Sequence, residues 1–328
     1  MTTKKDYIRM TAVTAAALLL IPLVGLAGKR ASAPTQTASP EDTAVTILIH
    51  ESGETLSLSE RDYVIGAVFA QMPADFEQEA LKAQAVLART YAERRRLCEK
   101  LSPTAELNGA LLSDDTSVYQ AFFTEQQAKD LYGDGYTEAY GRVSAAADSS
   151  EGLTLCYDGE PVITAFHGIS FGHTESAFTM WGEDIPYLAS AESLSDPEQD
   201  ICRRVCRFTD SELSEKFPDL NEDDIKALTV AEKSEHGTVL SVRAGDTLIN
   251  AGDFCESLGL PSQHFSAERT EDGWEFTVLG CGHLVGMSQY GANSLATEGK
   301  SAEEILLHYY KDCVIVHKNT PDKQPGAK

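Results

Sequence analysis

Residues 64–96, VIGAVFAQMPADFEQEALKAQAVLARTYAERRR, leave the backbone few choices. Val64, Ile65, Val68 and Phe69 recur at helical spacing and predict a helix that runs to about Gln71. Pro73 ends it, because the ring has no N–H to donate and disfavours helical geometry at Met72. A second stripe, Phe76, Ala80, Ala83, Leu87 and Tyr91, predicts another helix starting near Phe76. Asp75 is placed to cap it, and Glu77 and Glu79 suit the positive end of its dipole. Ser59, with Asp62 three residues on, marks the start of the first helix. Ala80, Ala83, Ala85 and Ala88 allow neighbouring elements to approach closely. The chain must therefore hold a sharp helical corner with a neutral amide, Gln71, beside the break.

The chain has 328 residues, 42% of them hydrophobic, which is enough for one large domain or two modest ones. Lys+Arg 27 against Asp+Glu 51 gives a formal charge of -24, which repels nucleic-acid phosphates and anionic bilayer faces. A neutral polymer or an extracytoplasmic partner suits this balance better than nucleic acid. Lys4, Lys5 and Arg9 precede an uncharged run at residues 10–28, MTAVTAAALLLIPLVGLAG, close to the roughly 20 apolar residues that cross a bilayer. The basic flank predicts residues 1–9 as a cytoplasmic stub and an exported body. The run reads as an uncleaved anchor; a cleaved signal peptide is the alternative, since Ala31, Ser32 and Ala33 resemble a cleavage site. Residues 29–44 read as a flexible tether, residues 45–318 as the folded body and residues 319–328 as a polar tail. The body opens on VTILIH, a strand signal at residues 45–50.

Seven cysteines leave at least one thiol unpaired within the chain, and their spacing does not fix connectivity. Cys202 and Cys206 could pair locally, ligate zinc, or sit as half-buried thiols on a short turn or helix. No second close pair follows to complete a four-cysteine site. The acidic stretch SLSDPEQDICRRVCRFTDSELSEKFPDLNEDD, residues 193–224, reads as a peripheral helical subregion. Val162 to Phe166 reads as a strand running into a loop with His167 and His173. Near the C-terminus, a glycine-rich loop with His283 leads into two short helices, the second capped by Ser301 and Glu304. Gly280, Gly282 and Gly286 do not have the dinucleotide spacing. Ser288, Gln289 and Tyr290 offer donors, acceptors and an aromatic face suited to sugar hydroxyls; tight-turn packing of the glycines is compatible with that role.

Three separated blocks carry a resemblance: YVIGAVFAQMPADFEQEALKAQAVLARTYA; AFHGISFGHTES followed by WGEDIPYL; and GHLVGMSQYGANSLATEGKSAEEILLHYY. In order, spacing and composition they resemble the stage II sporulation protein D family, which includes the amidase enhancers. The resemblance implies a peptidoglycan-directed protein whose sporulation members are lytic transglycosylases, cutting glycan strands stripped of stem peptides by a partner amidase during engulfment. It also implies one carboxyl group that protonates the glycosidic oxygen and then takes the C6 hydroxyl proton, closing an anhydro ring. The family's catalytic glutamate stands immediately before Met-Pro, where this chain has Gln71. An amide keeps the shape and can hydrogen-bond, but donates no proton as an acid does. Asp75, Glu77, Glu79, Asp62, Glu175 and Glu183 are the other carboxylates to weigh.

Some relatives hold zinc in the second block, so the resemblance makes His167 and His173 candidate ligands, with a third to come from His283, Cys281 or Glu175. Phe178 and Thr179 stand where further ligands are expected, and the plainer reading has both histidines bonding loop backbone. Relatives often read Gly-His-Gly where Leu284 follows His283 here, which stiffens the loop. The candidate substrate-binding residues are Lys82, Gln84, Arg89, Ser170, Glu175, Trp181, His283, Ser288, Gln289 and Tyr290, with Trp181, Tyr187 and Tyr290 as stacking aromatics. The expected fold is an α+β body after an N-terminal anchor, its helical pair and loop blocks converging on a groove. The expected partners are glycan strands, a cell-wall amidase and membrane sporulation proteins. The alternative to an active enzyme is a weak or silent glycan-binding scaffold that stimulates the amidase.

Overall fold

A computed structural model describes residues 44–318. It is a mixed α+β structure in which the expected single body resolves into two compact units, residues 44–164 with 313–318, and residues 165–312. The expected anchor at residues 10–28, the stub before it, most of the tether and the polar tail lie outside the described residues. Among the described residues no helix is long and apolar enough to cross a membrane.

In the first unit, strand Val45–Leu48 pairs antiparallel with Thr55–Leu58 and parallel with Leu112–Ser113. Helix α1, Glu60–Gln71, starts as expected: Ser59 accepts from the Asp62 amide at 3.1 Å and its hydroxyl donates to the Asp62 carboxylate at 2.7 Å. Every residue from Tyr63 to Gln71 is buried, so α1 is packed on all sides rather than on one stripe. Helix α2 runs Gln78–Leu101, later than expected, with Glu77 in the cap position and no side-chain cap bond. Asp75 does not cap it and is exposed. The chain first closes a turn in which the Phe76 N–H donates to the Pro73 carbonyl at 3.1 Å, and that turn absorbs the residues Asp75 would have capped from.

Helices α3, Glu125–Tyr132, and α4, Tyr136–Ser149, complete the bundle. Arg142 donates to the Ala74 and Phe76 carbonyls at 2.7 and 2.6 Å and pins the corner. Between α2 and α3 an extended strap, residues 119–123, crosses α1 at Gly66. A Cβ there would overlap the Phe122 ring and the Phe123 carbonyl, and the Phe123 N–H bonds the Gly66 carbonyl at 3.0 Å. Strand Leu153–Tyr157 carries the final strand Val314–His317 antiparallel and is tied to α2 by Thr90, which accepts from the Leu155 amide at 3.0 Å.

The second unit has a core of its own. Strands Phe265–Arg269, Gly273–Leu279 and Arg203–Thr209 form one antiparallel sheet, and Thr229–Lys233, Val239–Ala244 and Thr247–Asn250 another. Phe254, Phe265, Phe276, Leu213, Ile225 and Val278 are buried together between them and three short helices. The acidic stretch does carry helices, Asp210–Lys216 and the start of Glu222–Lys226, but the reading of it as a peripheral, wholly helical subregion is corrected. Its middle, Arg203–Thr209, is a sheet strand, and its Leu213 enters the core. The expected strand at residues 162–166 is also shorter, Phe166–His167 only, because its partner Met287–Ser288 is two residues long, bounded by Gly286 and a helix start. The two C-terminal helices form as expected, Gln289–Thr297 and Ala302–Tyr309, the latter with the Ser301–Glu304 capping box.

Candidate functional site

Gln71 ends α1 with 1% of its surface exposed. Its Nε2 donates to the Ala121 carbonyl at 3.0 Å, and its Oε1 accepts from Gln84 Nε2 at 2.6 Å. Gln84 is fully buried on α2. A backbone carbonyl can only accept, so Ala121 fixes which end of the Gln71 amide faces it, and hence which end of Gln84 faces Gln71. The strap that carries Ala121 is held on both sides, by Gln120 donating to Thr164 Oγ1 at 2.9 Å and by Phe123 on Gly66. Of the carboxylates beside the break, Asp75 and Glu77 are exposed and Glu79 is half-buried. Lys82 is half-buried. Arg89 is buried and spent on structure. It donates to Ser150 Oγ at 3.0 Å and the Ala147 carbonyl at 2.9 Å and lies 3.5 Å from the Glu60 carboxylate. Burial lowers its pKa, and Glu60 opposes that by favouring the charged form.

In the second unit the two loop blocks interlock. Phe166–His167 pairs parallel with Met287–Ser288, Ile169 bridges Cys281, and the Glu175 N–H donates to the Leu284 carbonyl at 2.7 Å. The approach is close enough that a Cβ at Gly286 would overlap the Ala165 carbonyl, and one at Gly282 would lie 2.7 Å from His167 Cβ. Leu284 takes φ 65, a left-handed conformation that strains a residue with a side chain, and that side chain is buried. Leu284 therefore holds a backbone conformation that favours glycine, with its side chain packed inside.

The loops are tied by a residue that no sequence motif marks. Asp196 is fully buried, and its Oδ2 accepts from the Ser170 amide at 2.9 Å, Ser170 Oγ at 2.6 Å and Ser288 Oγ at 2.7 Å. Burial pushes its pKa up, and the Ser170 and Ser288 bonds pull against that. Ser288 in turn caps its helix, accepting from the Gly291 amide at 3.1 Å, so one carboxylate sets both candidate serines. Asp196-Pro197 reads in sequence as an ordinary turn opening, which gives no sign of a buried carboxyl group.

The candidate histidines part company. His167 lies beside His283, ring centroids 5.9 Å apart, whereas His173 stacks on His236 at 4.6 Å and 4°. His167 Nδ1 meets the Val285 carbonyl at 3.2 Å and so carries the hydrogen; His283 Nδ1 accepts the Val285 N–H at 3.1 Å and so does not. Burial holds His167 down to about 3, reinforced by His283, and His283 down to about 4, so both are neutral near pH 7. Trp181, half-buried, packs against His283 at 5.5 Å. Glu175 is buried and accepts from Ser234, Gln289 is buried, and Tyr290 is half-buried with its N–H on the Gly168 carbonyl. Tyr187 is buried. Among the described residues no three His, Cys, Asp or Glu side chains gather where they could hold a metal ion.

Comparison with known proteins matches residues 51–157 to the family model described as stage II sporulation protein. Stage II sporulation protein D of Bacillus subtilis (strain 168) is 36% identical over 284 residues, 86% of this chain and 81% of that protein. Its namesake from Bacillus amyloliquefaciens is 35% identical over 279 residues, 85% of this chain and 79% of that protein. The amidase enhancer of Bacillus subtilis (strain 168) is 24% identical over 299 residues, 75% of this chain and 39% of that protein.

Proposed function

The chain belongs to the stage II sporulation protein D family, and from that premise we propose that it serves sporulation as a peptidoglycan-directed, glycan-binding partner of a cell-wall amidase, with the family's lytic step silenced at position 71. The observation that carries this reading is the Gln71 amide, buried and bonded at both ends where the resemblance puts the catalytic carboxyl. The lytic transglycosylase reaction needs a group that gives up a proton and takes one back. An amide near neutral pH does neither. A positioned acid or base contributes roughly 10²–10⁴ in rate, about 3–5 kcal/mol of barrier, so the step falls by that factor. Asp75 and Glu77 point to no replacement, since both are exposed rather than enclosed at the helix break as Gln71 is.

Glycan binding draws on the loop pair, where Trp181 and Tyr290 are half-buried aromatics and Trp181 offers a ring face. The amidase partner rests on the family and on the name of the amidase enhancer relative. The basic flank and apolar run at residues 1–28 support a body outside the cytoplasm. The test is cosedimentation of the protein with glycan strands denuded of stem peptides, alongside amidase turnover on intact sacculi with and without it. Binding together with faster amidase turnover supports the reading. Neither effect, at protein concentrations that saturate a folded control, sinks it.

A further inference from the structure

Position 71 is bounded by two groups of opposite hydrogen-bonding sense. The Ala121 carbonyl, 3.0 Å from Gln71 Nε2, requires a donor; Gln84 Nε2, 2.6 Å from Gln71 Oε1, requires an acceptor. Both lie in the interior, on a fully buried Gln84 and on a strap pinned by Gln120 and Phe123, so neither is free to swing out to solvent. We propose that Gln84 and the Ala121 carbonyl form a slot that selects a neutral, hydrogen-bearing side chain at position 71, with Gln84 as the positioning residue that fixes its orientation.

The chemistry follows side chain by side chain. An amide meets both demands at once. A carboxylate meets one, because its second oxygen would face the Ala121 oxygen with no hydrogen between two acceptors. A protonated carboxyl meets both, its O–H donating to Ala121 and its carbonyl oxygen accepting from Gln84 in the same outline as the amide. An apolar side chain meets neither and removes the bond that each of these buried groups makes at position 71. The slot therefore holds a glutamic acid in its proton-carrying form, and Gln71 is a permanent imitation of that form with no proton to give. This deepens the reading that the lytic step is silenced at position 71, and it stands on the first unit's geometry alone.

The experiment is Gln71→Glu in the full chain, with two readouts that need no glycan. The first is the titration of the new carboxyl carbon by NMR; the second is the urea midpoint of variant and parent from pH 4 to pH 8. A slot of this kind makes the carboxyl titrate above the ordinary glutamate value of about 4.3. The folded state then binds more protons than the unfolded one, so the variant's deficit is small at pH 4 and grows as pH rises, tenfold in the folding constant for each pH unit between the unfolded and folded pKa. Adding Gln84→Met removes a donor that favours the charged form and moves the titration higher still. Gln71→Met is the control, with a deficit that does not follow pH. A carboxyl that titrates at or below the ordinary value, with a midpoint profile parallel to the parent's, overturns the slot. A Gln84→Met change that leaves the titration in place overturns the role of Gln84. Cleavage of glycan by the parent would instead overturn the silencing and leave the slot standing.

Discussion

Removing the Asp196 side chain probes what holds the two loop blocks together. Asp196→Ala leaves the Ser170 N–H buried without an acceptor, at about 1–3 kcal/mol. It also takes the charged acceptor from the Ser170 and Ser288 hydroxyls, worth about 1.5–3 kcal/mol each. Against this stands relief of the cost of burying a carboxylate, several kcal/mol. The net expectation is a loss of roughly 2–4 kcal/mol at pH 7. Asp196→Asn keeps an acceptor for the Ser170 amide and should recover most of it. The pH sign separates the two contributions. Burial raises the folded pKa above the unfolded one, so the parent's share of stability from this group is full below the unfolded value of about 3.9 and is lost as pH rises through the folded value. Asp196→Asn lacks that loss, and its stability relative to the parent should improve from pH 4 to pH 7. Urea unfolding followed by circular dichroism measures all three proteins. An alanine variant within about 1 kcal/mol of the parent, or an asparagine variant no better than alanine, refutes the view that this carboxylate organises the loops.

Two further substitutions set opposed effects against each other. Gly66→Ala gains about 1 kcal/mol of helix propensity, but its methyl enters the Phe122 ring and the Phe123 carbonyl of a pinned strap, so thermal unfolding should show a net loss of about 2 kcal/mol or more. Leu284→Gly relieves about 1–2 kcal/mol of left-handed strain and forfeits a buried leucine worth about 2–5 kcal/mol, so the variant should be destabilised by about 1–3 kcal/mol in urea titrations.

The helical corner was legible because Pro73 and the spacing of Val64, Val68 and Phe69 act locally. The late start of α2 was not, since the turn bond from Phe76 to Pro73 competes with capping by Asp75 and no propensity ranks the two. That Gln84 faces Gln71 depends on how two helices roll against each other, and that Ala121 completes the slot depends on a strap about 50 residues away in the chain. The second unit's core was hidden by charge. Arg203, Arg204 and Arg207 mask a strand in which Cys206 and Phe208 alternate inward. The candidate zinc histidines are close in sequence, but the strand pairing of each loop sends His167 to His283 and His173 to His236.

The central claim, that an amide at position 71 separates this chain from the family's lytic chemistry, is met most directly by incubating parent and Gln71→Glu proteins with denuded glycan strands and reading anhydro-muramyl ends by mass spectrometry. The expected outcome is bound glycan without such ends from the parent, and their appearance, at least about 10² faster, with the variant. Anhydro-muramyl ends formed by the parent as fast as by the variant would contradict it.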